Sequence, residues 1–162
     1  MNKKINSRRG FTLVELLAVI VVLAIVMLIA LQAVLPAMDS ARRQTFAIEA
    51  NGAIDAANTY FMSSMWVSDA GSVSLPIGNE EVCISIEALY NAGYTELSPE
   101  NYSGQVVVKK KGNIYLYTVY IQKDETMMVN GAGNDGTYNE DITEADVVDW
   151  DKEAFNGTCS TG

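Results

Sequence analysis

The sequence predicts an α+β fold in which one long N-terminal helix packs on a small antiparallel β-sheet. Three observations predict this fold. The run from Leu16 to Met38 contains no Asp, Glu, Lys or Arg. Beyond it, apolar residues recur at helical spacing. Further on, two segments rich in β-branched and aromatic residues flank a Gly-Asn pair, which is a hairpin signal.

The charge-free run is long enough to cross a membrane. It covers 23 residues, and a helix of that length reaches roughly 35 Å, more than the hydrocarbon thickness of a bilayer. Basic residues precede the run and predict that this end stays in the cytoplasm: Lys3, Lys4, Arg8 and Arg9. The sequence therefore predicts a single-pass membrane segment with an extracytoplasmic C-terminal domain.

The charge balance and the residue types exclude several classes of function. The formal net charge is −9, and removing the first ten residues leaves seven basic residues against twenty acidic ones. Such an acidic chain repels phosphate, which argues against direct nucleic-acid binding. The chain has no histidine, the commonest general base and metal ligand. We therefore expect no enzymatic activity, no cofactor and no metal site.

Two ordinary interpretations of the N-terminus leave features unexplained. A secretory signal peptide has the basic start and the apolar run, but this run is too long and no A-x-A site occurs between Ala30 and Ala41. A plain membrane anchor explains the length but not Glu15. A carboxylate at membrane depth costs about 2.5–3.5 kcal/mol, so such a group usually has a partner and a purpose.

A third interpretation accounts for all of these features. The segment Arg8–Leu17, RRGFTLVELL, resembles the class III leader junction of bacterial type IV prepilins and pseudopilins. A short basic leader ends in Gly10, Phe11 follows, and Glu15 lies four positions later. The resemblance implies cleavage between Gly10 and Phe11 by a prepilin peptidase and N-methylation of Phe11. It also implies that Glu15 meets the Phe11 amine of a neighbouring subunit during assembly.

The resemblance implies a domain plan and a set of partners. Residues 1–10 would be the leader peptide, 11–38 the transmembrane and assembly helix, and 39–162 a pilin head that starts with an amphipathic helix over 39–66. The partners would be other copies of the chain in a helical filament, the prepilin peptidase, and the assembly ATPase and platform proteins. The fold would be type IV pilin-like.

The function implied is that of a major pilin in a surface pilus for adhesion and twitching motility. Two alternatives remain open. A minor pilin, or a pseudopilin of type II secretion or competence, carries the same junction. A membrane-anchored binding domain that never polymerises belongs to a different class.

One departure from the family pattern concerns a helix-breaking proline. Gln32 occupies the position where family members usually carry it, and Pro36 comes about one turn later. Proline lacks an N–H and clashes with the preceding turn. We therefore expect any helix break near Leu31–Pro36.

The second half of the helix has an apolar and a polar side. The apolar stripe, predicted to cover the sheet, consists of Phe46, Ala50, Ala53, Ala57 and Phe61. The polar side, predicted to face neighbouring helices in a filament, consists of Gln44, Asn51, Asp55 and Asn58. We expect this helix to end near Ser63–Trp66.

The remaining elements are predicted from local patterns. Ser85–Gly93 predicts a short helix with Ser85 as its N-cap and Gly93 in the left-handed position at its end. Gln105–Lys110 and Ile114–Gln122 predict a hairpin around Gly112-Asn113. Thr126–Val129 predicts a third strand. Thr143 is expected to cap a short helix that reaches about Trp150, with Val147 and Trp150 inward. Strand order is not predicted.

Two further sets of residues have alternative interpretations. In a chain that leaves the cytoplasm, Cys83 and Cys159 favour a disulfide bond, which would stabilise the fold by on the order of 4 kcal/mol. The alternative is two free thiols. Oxygen-rich side chains follow the strands: Asn134, Asp135, Asn139, Asp141, Glu144 and Asp146. Calcium prefers such ligands, but the EF-hand spacing is absent, so a solvated acidic loop is preferred.

Overall fold

A computed structural model of the chain describes residues 11–64, 75–77, 80–133 and 141–157. It has α+β architecture, with a long helix and a five-stranded antiparallel sheet, as the sequence predicts and as in pilins. The chain divides into two compact units between Ser40 and Ala41. The division lies two residues after the predicted end of the membrane segment at Met38.

The helices and strands follow one another in simple order. The long helix α1 spans Leu13–Ser64 and is followed by β1 (Glu81–Ser85) and the short helix α2 (Ile86–Asn91). The strands β2 (Tyr102–Lys111), β3 (Ile114–Lys123) and β4 (Met127–Gly133) come next, then a single 3-10 turn at Glu144–Asp146 and the two-residue strand β5 (Val148–Asp149). The sheet order is β1-β2-β3-β4-β5, so each strand pairs with its neighbours in sequence.

Helix α1 continues without interruption through Pro36. The break predicted near Leu31–Pro36 is therefore absent from the isolated chain. Proline removes one N–H, which deprives the carbonyl of Gln32 of its helical donor. The flanking Ala, Leu and Met residues are good helix formers and keep both sides helical. A break at Pro36 in an assembled filament stays a prediction.

The apolar stripe of α1 lies against one face of the sheet. Phe46, Ala50, Ala53, Ala57 and Phe61 are all fully buried, which confirms the predicted stripe. The facing side chains come from alternate positions of β1 to β4: Ile84, Val106, Val108, Tyr117, Val119, Ile121 and Val129. Because strand side chains alternate between faces, one face of the sheet forms this core and the other is left for the C-terminal tail.

Local turn chemistry positions the smaller elements as predicted. The Ser85 hydroxyl accepts a hydrogen bond from the N–H of Ala88 at 3.1 Å, which caps α2. Gly93 has a φ of +79°, and the N–H groups of Gly93 and Tyr94 bond back to the carbonyls of Tyr90 and Leu89. This is the Schellman arrangement that ends helices at glycine.

Two predictions of helices and strands need correction. Gly112-Asn113 does form the two-residue turn of the β2–β3 hairpin, but strand β1 was not predicted, since its five residues run directly into a helix. The described part of α1 ends at Ser64, and Trp66 lies outside the described residues. The helix expected from Thr143 to Trp150 is wrong: only one 3-10 turn forms, and the chain then pairs with β4 as β5. Val147 is buried as predicted.

Candidate assembly surface

The start of α1 is held by a reciprocal pair of side chains. Thr12 precedes the first helical residue, and its backbone N–H and hydroxyl donate hydrogen bonds to Oε2 of Glu15 at 3.1 and 3.2 Å. The N–H of Glu15 donates in turn to the Thr12 hydroxyl at 3.3 Å. This is a capping box. This cap was not among the predicted features, although the spacing Thr-x-x-Glu is its sequence signature.

The first unit consists of an exposed apolar helix. Every side chain from Phe11 to Asp39 is exposed, and Phe11 keeps 83% of its surface accessible. By length and composition α1 is apolar enough to cross a membrane. An exposed apolar surface of this extent needs lipid or other protein to cover it. The apolar helix therefore fits a membrane anchor.

Most of the polar side of α1 in the second unit makes hydrogen bonds within the chain. The Asn51 amide donates to the carbonyl of Ile142 at 2.8 Å, and its Oδ1 accepts from the N–H of Ile142 at 2.9 Å. Gln44 donates to Glu144, and Asn58 accepts from the Tyr117 hydroxyl at 3.0 Å. Three of the four residues predicted to face neighbouring helices thus bind their own subunit. Asp55 is the fourth. Gln44, Asp55 and Asn58 are all exposed, so the contact with neighbouring helices stays a prediction.

The open side of α1 carries a different set of residues. Spacings of four and three residues join Ile48, Gly52, Asp55, Thr59 and Met62, and all five are exposed. Ile48 keeps 71% of its surface accessible and Met62 keeps 45%. This stripe is one exposed side of the helix. The sequence hid it, because the stripe mixes apolar and polar residues.

Arg43 of α1 also binds the C-terminal segment. The Arg43 guanidinium donates to the carbonyl of Val147 at 2.8 Å and to the Asp149 carboxylate at 2.5 Å. Together with Asn51 and Gln44, it holds the segment from Ile142 to Asp149 along the helix. None of these contacts spans fewer than ninety residues of sequence, which is why the sequence alone did not indicate them.

A second ion pair joins the helix to the sheet. The Lys123 ammonium donates to both carboxylate oxygens of Glu49, at 2.9 and 3.0 Å, and lies 4.9 Å from the centre of the Tyr102 ring. Burial lowers the pKa of Lys123, but its hydrogen bonds to Tyr102 and Glu49 outweigh that effect and raise the pKa above its ordinary value. Burial also raises the pKa of Tyr102, and burial followed by the nearby Tyr115 raises that of Tyr117.

These shifts predict a loss of stability at alkaline pH. Each raised pKa means that the folded chain binds its proton more tightly than the unfolded chain does. The stabilisation is complete below the ordinary values, 10.0 for tyrosine and 10.5 for lysine, and falls as pH rises through the folded values. We expect the midpoint of thermal unfolding to stay level near neutral pH and to fall above about pH 10. Tyr102→Phe should make that fall shallower, and an unchanged slope would contradict the assignment.

The face of the sheet opposite α1 is crossed by the tail. The Gln105 amide donates to the carbonyl of Asn156 at 2.9 Å, and the Asn130 amide donates to that of Ala154 at 2.7 Å. Cys83 lies on this face and lines one surface pocket with Gln105 and Asn156. Cys159 lies outside the described residues, so the disulfide between Cys83 and Cys159 stays a prediction. The tail contacts support it because they bring the chain to Cys83 three residues before Cys159.

The oxygen-rich stretch lies partly outside the described residues, which exclude Asn134, Asp135 and Asn139. Among the rest, the Asp146 carboxylate accepts from the N–H and the hydroxyl of Thr143, and Glu144 accepts from Gln44. Residues 11–64, 75–77, 80–133 and 141–157 contain no cluster of three acidic, His or Cys residues suited to a metal ion. Asp146 therefore caps a turn, and Glu144 binds the helix.

Comparison with known proteins identifies the N-terminal segment. Residues 5–31 match the family model described as the prokaryotic N-terminal methylation motif. This motif is the class III signal peptide of type IV pilins and pseudopilins. It contains the resemblance around Gly10, Phe11 and Glu15. No curated protein and no solved structure gives a significant match to the chain.

Proposed function

From the methylation motif at residues 5–31, we propose that this chain is the major structural subunit of a type IV pilus. The subunit is stored as a single-pass membrane protein with its head outside the cytoplasm. A prepilin peptidase cuts after Gly10, and Phe11 becomes N-methylated. An assembly ATPase and platform proteins then add the subunit to a surface filament that serves adhesion and twitching motility. The role is structural rather than enzymatic.

The distribution of apolar surface supports this proposal. In the head, α1 covers the sheet and leaves a closed core. Towards its N-terminus, the same helix exposes large apolar side chains such as Leu23, Ile29 and Leu35, each more than 60% accessible. One half of the helix is therefore satisfied within the subunit, and the other half requires an external apolar environment. Lipid supplies it before assembly and neighbouring helices supply it afterwards.

Glu15 and Phe11 provide the register of assembly in this proposal. Removal of the leader creates an amine on Phe11, one residue before the Thr12 cap. In an apolar filament core this amine and the Glu15 carboxylate of a neighbour satisfy each other, because each charge costs several kcal/mol when buried alone. Within one chain, Thr12 already donates two hydrogen bonds to Glu15. The Phe11 amine of the neighbouring subunit either replaces these donors or shares the carboxylate with them.

Replacement of Glu15 tests the assembly role. Glu15→Ala should leave cleavage after Gly10 intact and reduce the filament fraction by about a hundredfold or more, since breaking a buried pair costs about 3–5 kcal/mol. The measurement is the amount of subunit sheared from intact cells, with its N-terminus determined by mass spectrometry. Val14→Ala, at an exposed neighbouring position, is the matched control: it removes apolar surface but no charge, and it should reduce the yield far less. A normal filament yield from Glu15→Ala would refute the assembly role.

The alternatives separate in the same measurement. A minor pilin or a secretion or competence pseudopilin shares the methylation motif, and processed protein confined to the membrane fraction would favour it. A binding domain that never polymerises would keep its leader. A mass about 2 Da below that of the fully reduced chain would establish the proposed disulfide between Cys83 and Cys159.

A further inference from the structure

Positive charge is concentrated at the turn of the β2–β3 hairpin. Lys109, Lys110 and Lys111 precede the turn and are three of the seven basic residues that follow Gly10. Lys109 bonds to Glu81, with Glu80 beside it, and Lys110 lies 5.8 Å from the centre of the Tyr115 ring. Lys111 is exposed. We call Lys109–Lys111 the basic tip.

Negative charge is concentrated at the opposite end of the same hairpin. Five exposed carboxylates lie there, and we call them the acidic end: Glu100, Asp124, Glu125, Asp149 and Asp151. The topology brings them together. The N–H of Asp124 bonds to the carbonyl of Asn101, and β5 pairs with the start of β4. Arg43 binds Asp149 and Lys152 lies close in sequence, so carboxylates remain in excess.

Backbone strain marks two of these carboxylates. Asp124 and Glu125 form the turn between β3 and β4 with φ values of +50° and +51°. Left-handed backbone at both central positions is that of a type I′ turn, for which Asn-Gly is the preferred pair. A glutamate there costs stability that glycine would avoid. The turn itself therefore does not require carboxylates at these two positions.

The two charged ends are far apart and lie in a defined direction. The hairpin has ten residues in each strand, so its ends are separated by roughly 30 Å and do not neutralise each other within one subunit. At the acidic end Lys123 binds Glu49, whereas Tyr117, nearer the basic tip, binds Asn58. The direction from the acidic end to the basic tip is therefore the direction in which α1 runs from Glu49 to Asn58.

We propose that the basic tip of one subunit docks on the acidic end of a second copy along the filament. This inference rests on the proposed function. A contact between two different surfaces of the same molecule is heterologous, and such contacts build open helical polymers. Opposite charges at the two ends give the contact a direction and oppose reversed stacking, in which like charges would meet. Exposed Ile114 and Val148 add one apolar side chain to each surface.

A charge exchange tests the contact. K110E/K111E and D124K/E125K should each reduce the sheared filament fraction, by on the order of tenfold, because like charges then face each other. The combination of all four substitutions restores the original net charge and the opposite signs at the contact, and it should recover most of the yield. Cleavage after Gly10 is measured in every strain to confirm that processing is unchanged.

A second variant separates docking from folding. D124N/E125G provides the preferred turn pair and should raise the midpoint of thermal unfolding of the full-length chain in detergent by a few degrees, about what a 1 kcal/mol gain produces. The same variant removes two carboxylates and should reduce filament yield. A gain in both stability and yield would overturn the docking contact.

The outcomes distinguish this inference from the proposed function. If the unaltered chain is processed but forms no filament, the proposed function fails. If it forms filaments and K110E/K111E forms them equally well, the docking contact is overturned and the filament role stands. If K110E/K111E keeps its filament yield but no longer binds vesicles that contain anionic lipid, the basic tip binds a membrane surface instead.

Discussion

Gly104→Ala should lower the free energy of unfolding of the head by about 3 kcal/mol or more. Gly104 lies in β2 opposite Ile121 with a φ of +144°, which side-chain-bearing residues rarely adopt. A Cβ there would lie only 2.0 Å from the Tyr120 carbonyl oxygen and 2.8 Å from Cα of Ile121. Both obstacles belong to the backbone of β3, so no side-chain rotation relieves them. Strand separation or a changed φ is required.

The measurement is denaturant unfolding of the full-length chain in detergent, followed by tryptophan fluorescence. Trp150 reports on the head because its ring packs 5.0 Å from that of Phe155. Gly52→Ala is the matched control: its Cβ meets nothing within 4 Å on the exposed side of α1. Alanine should stabilise the helix there by about 0.5–1 kcal/mol. Equal stabilities for the two variants would show that the close approach at Gly104 does not constrain the sheet.

Asn51→Ala should lower the free energy of unfolding by about 2–4 kcal/mol. The Asn51 side chain accepts a hydrogen bond from the backbone N–H of Ile142 at 2.9 Å and donates one to its carbonyl at 2.8 Å. Ile142 is 5% exposed, so water does not readily replace the lost partner. Alanine would leave a buried N–H and a buried carbonyl without hydrogen bonds, and each such group costs about 1–3 kcal/mol.

Limited proteolysis complements the unfolding measurement for Asn51. Because Asn51 holds the segment from Ile142 to Asp149, its loss should open that segment before the sheet unfolds, and cleavage should begin there. Gln44→Ala is the control on the same helix and segment. Its hydrogen bond to Glu144 is exposed, so we expect a change within about 0.5 kcal/mol. An Asn51→Ala variant as stable and as resistant as Gln44→Ala would contradict the proposed attachment.

The helix stripe and the central hairpin were predictable because their signals are local. The spacing from Phe46 to Phe61 defines one face of a helix, and its burial follows from hydrophobicity alone. Gly112-Asn113 has the backbone freedom that a two-residue hairpin needs. The junction around Gly10 and Glu15 is a contiguous motif, and the family model identifies the same segment.

Other features depended on contacts between distant parts of the chain. The residues from Thr143 to Trp150 have a cap and apolar spacing suitable for a helix, but pairing with β4 and binding by Arg43 favoured an extended segment after one turn. Asn51 and Asn58 were predicted to face neighbouring helices, but the fold brings Ile142 and Tyr117 within hydrogen-bond distance of them. Hydrogen bonds that span 91 and 59 residues of sequence leave no local pattern.

The sequence by itself determined the membrane-length helix, the leader junction, the α+β class and the apolar side of the helix, because each depends on residues within a few turns or one motif. Tertiary structure alone decided which polar side chains are used within the subunit, the order of the strands, and the separation of lysines from carboxylates along the hairpin. Burial leaves polar groups few alternative partners, so the final topology determines which distant residues satisfy them and which charges remain exposed for another copy.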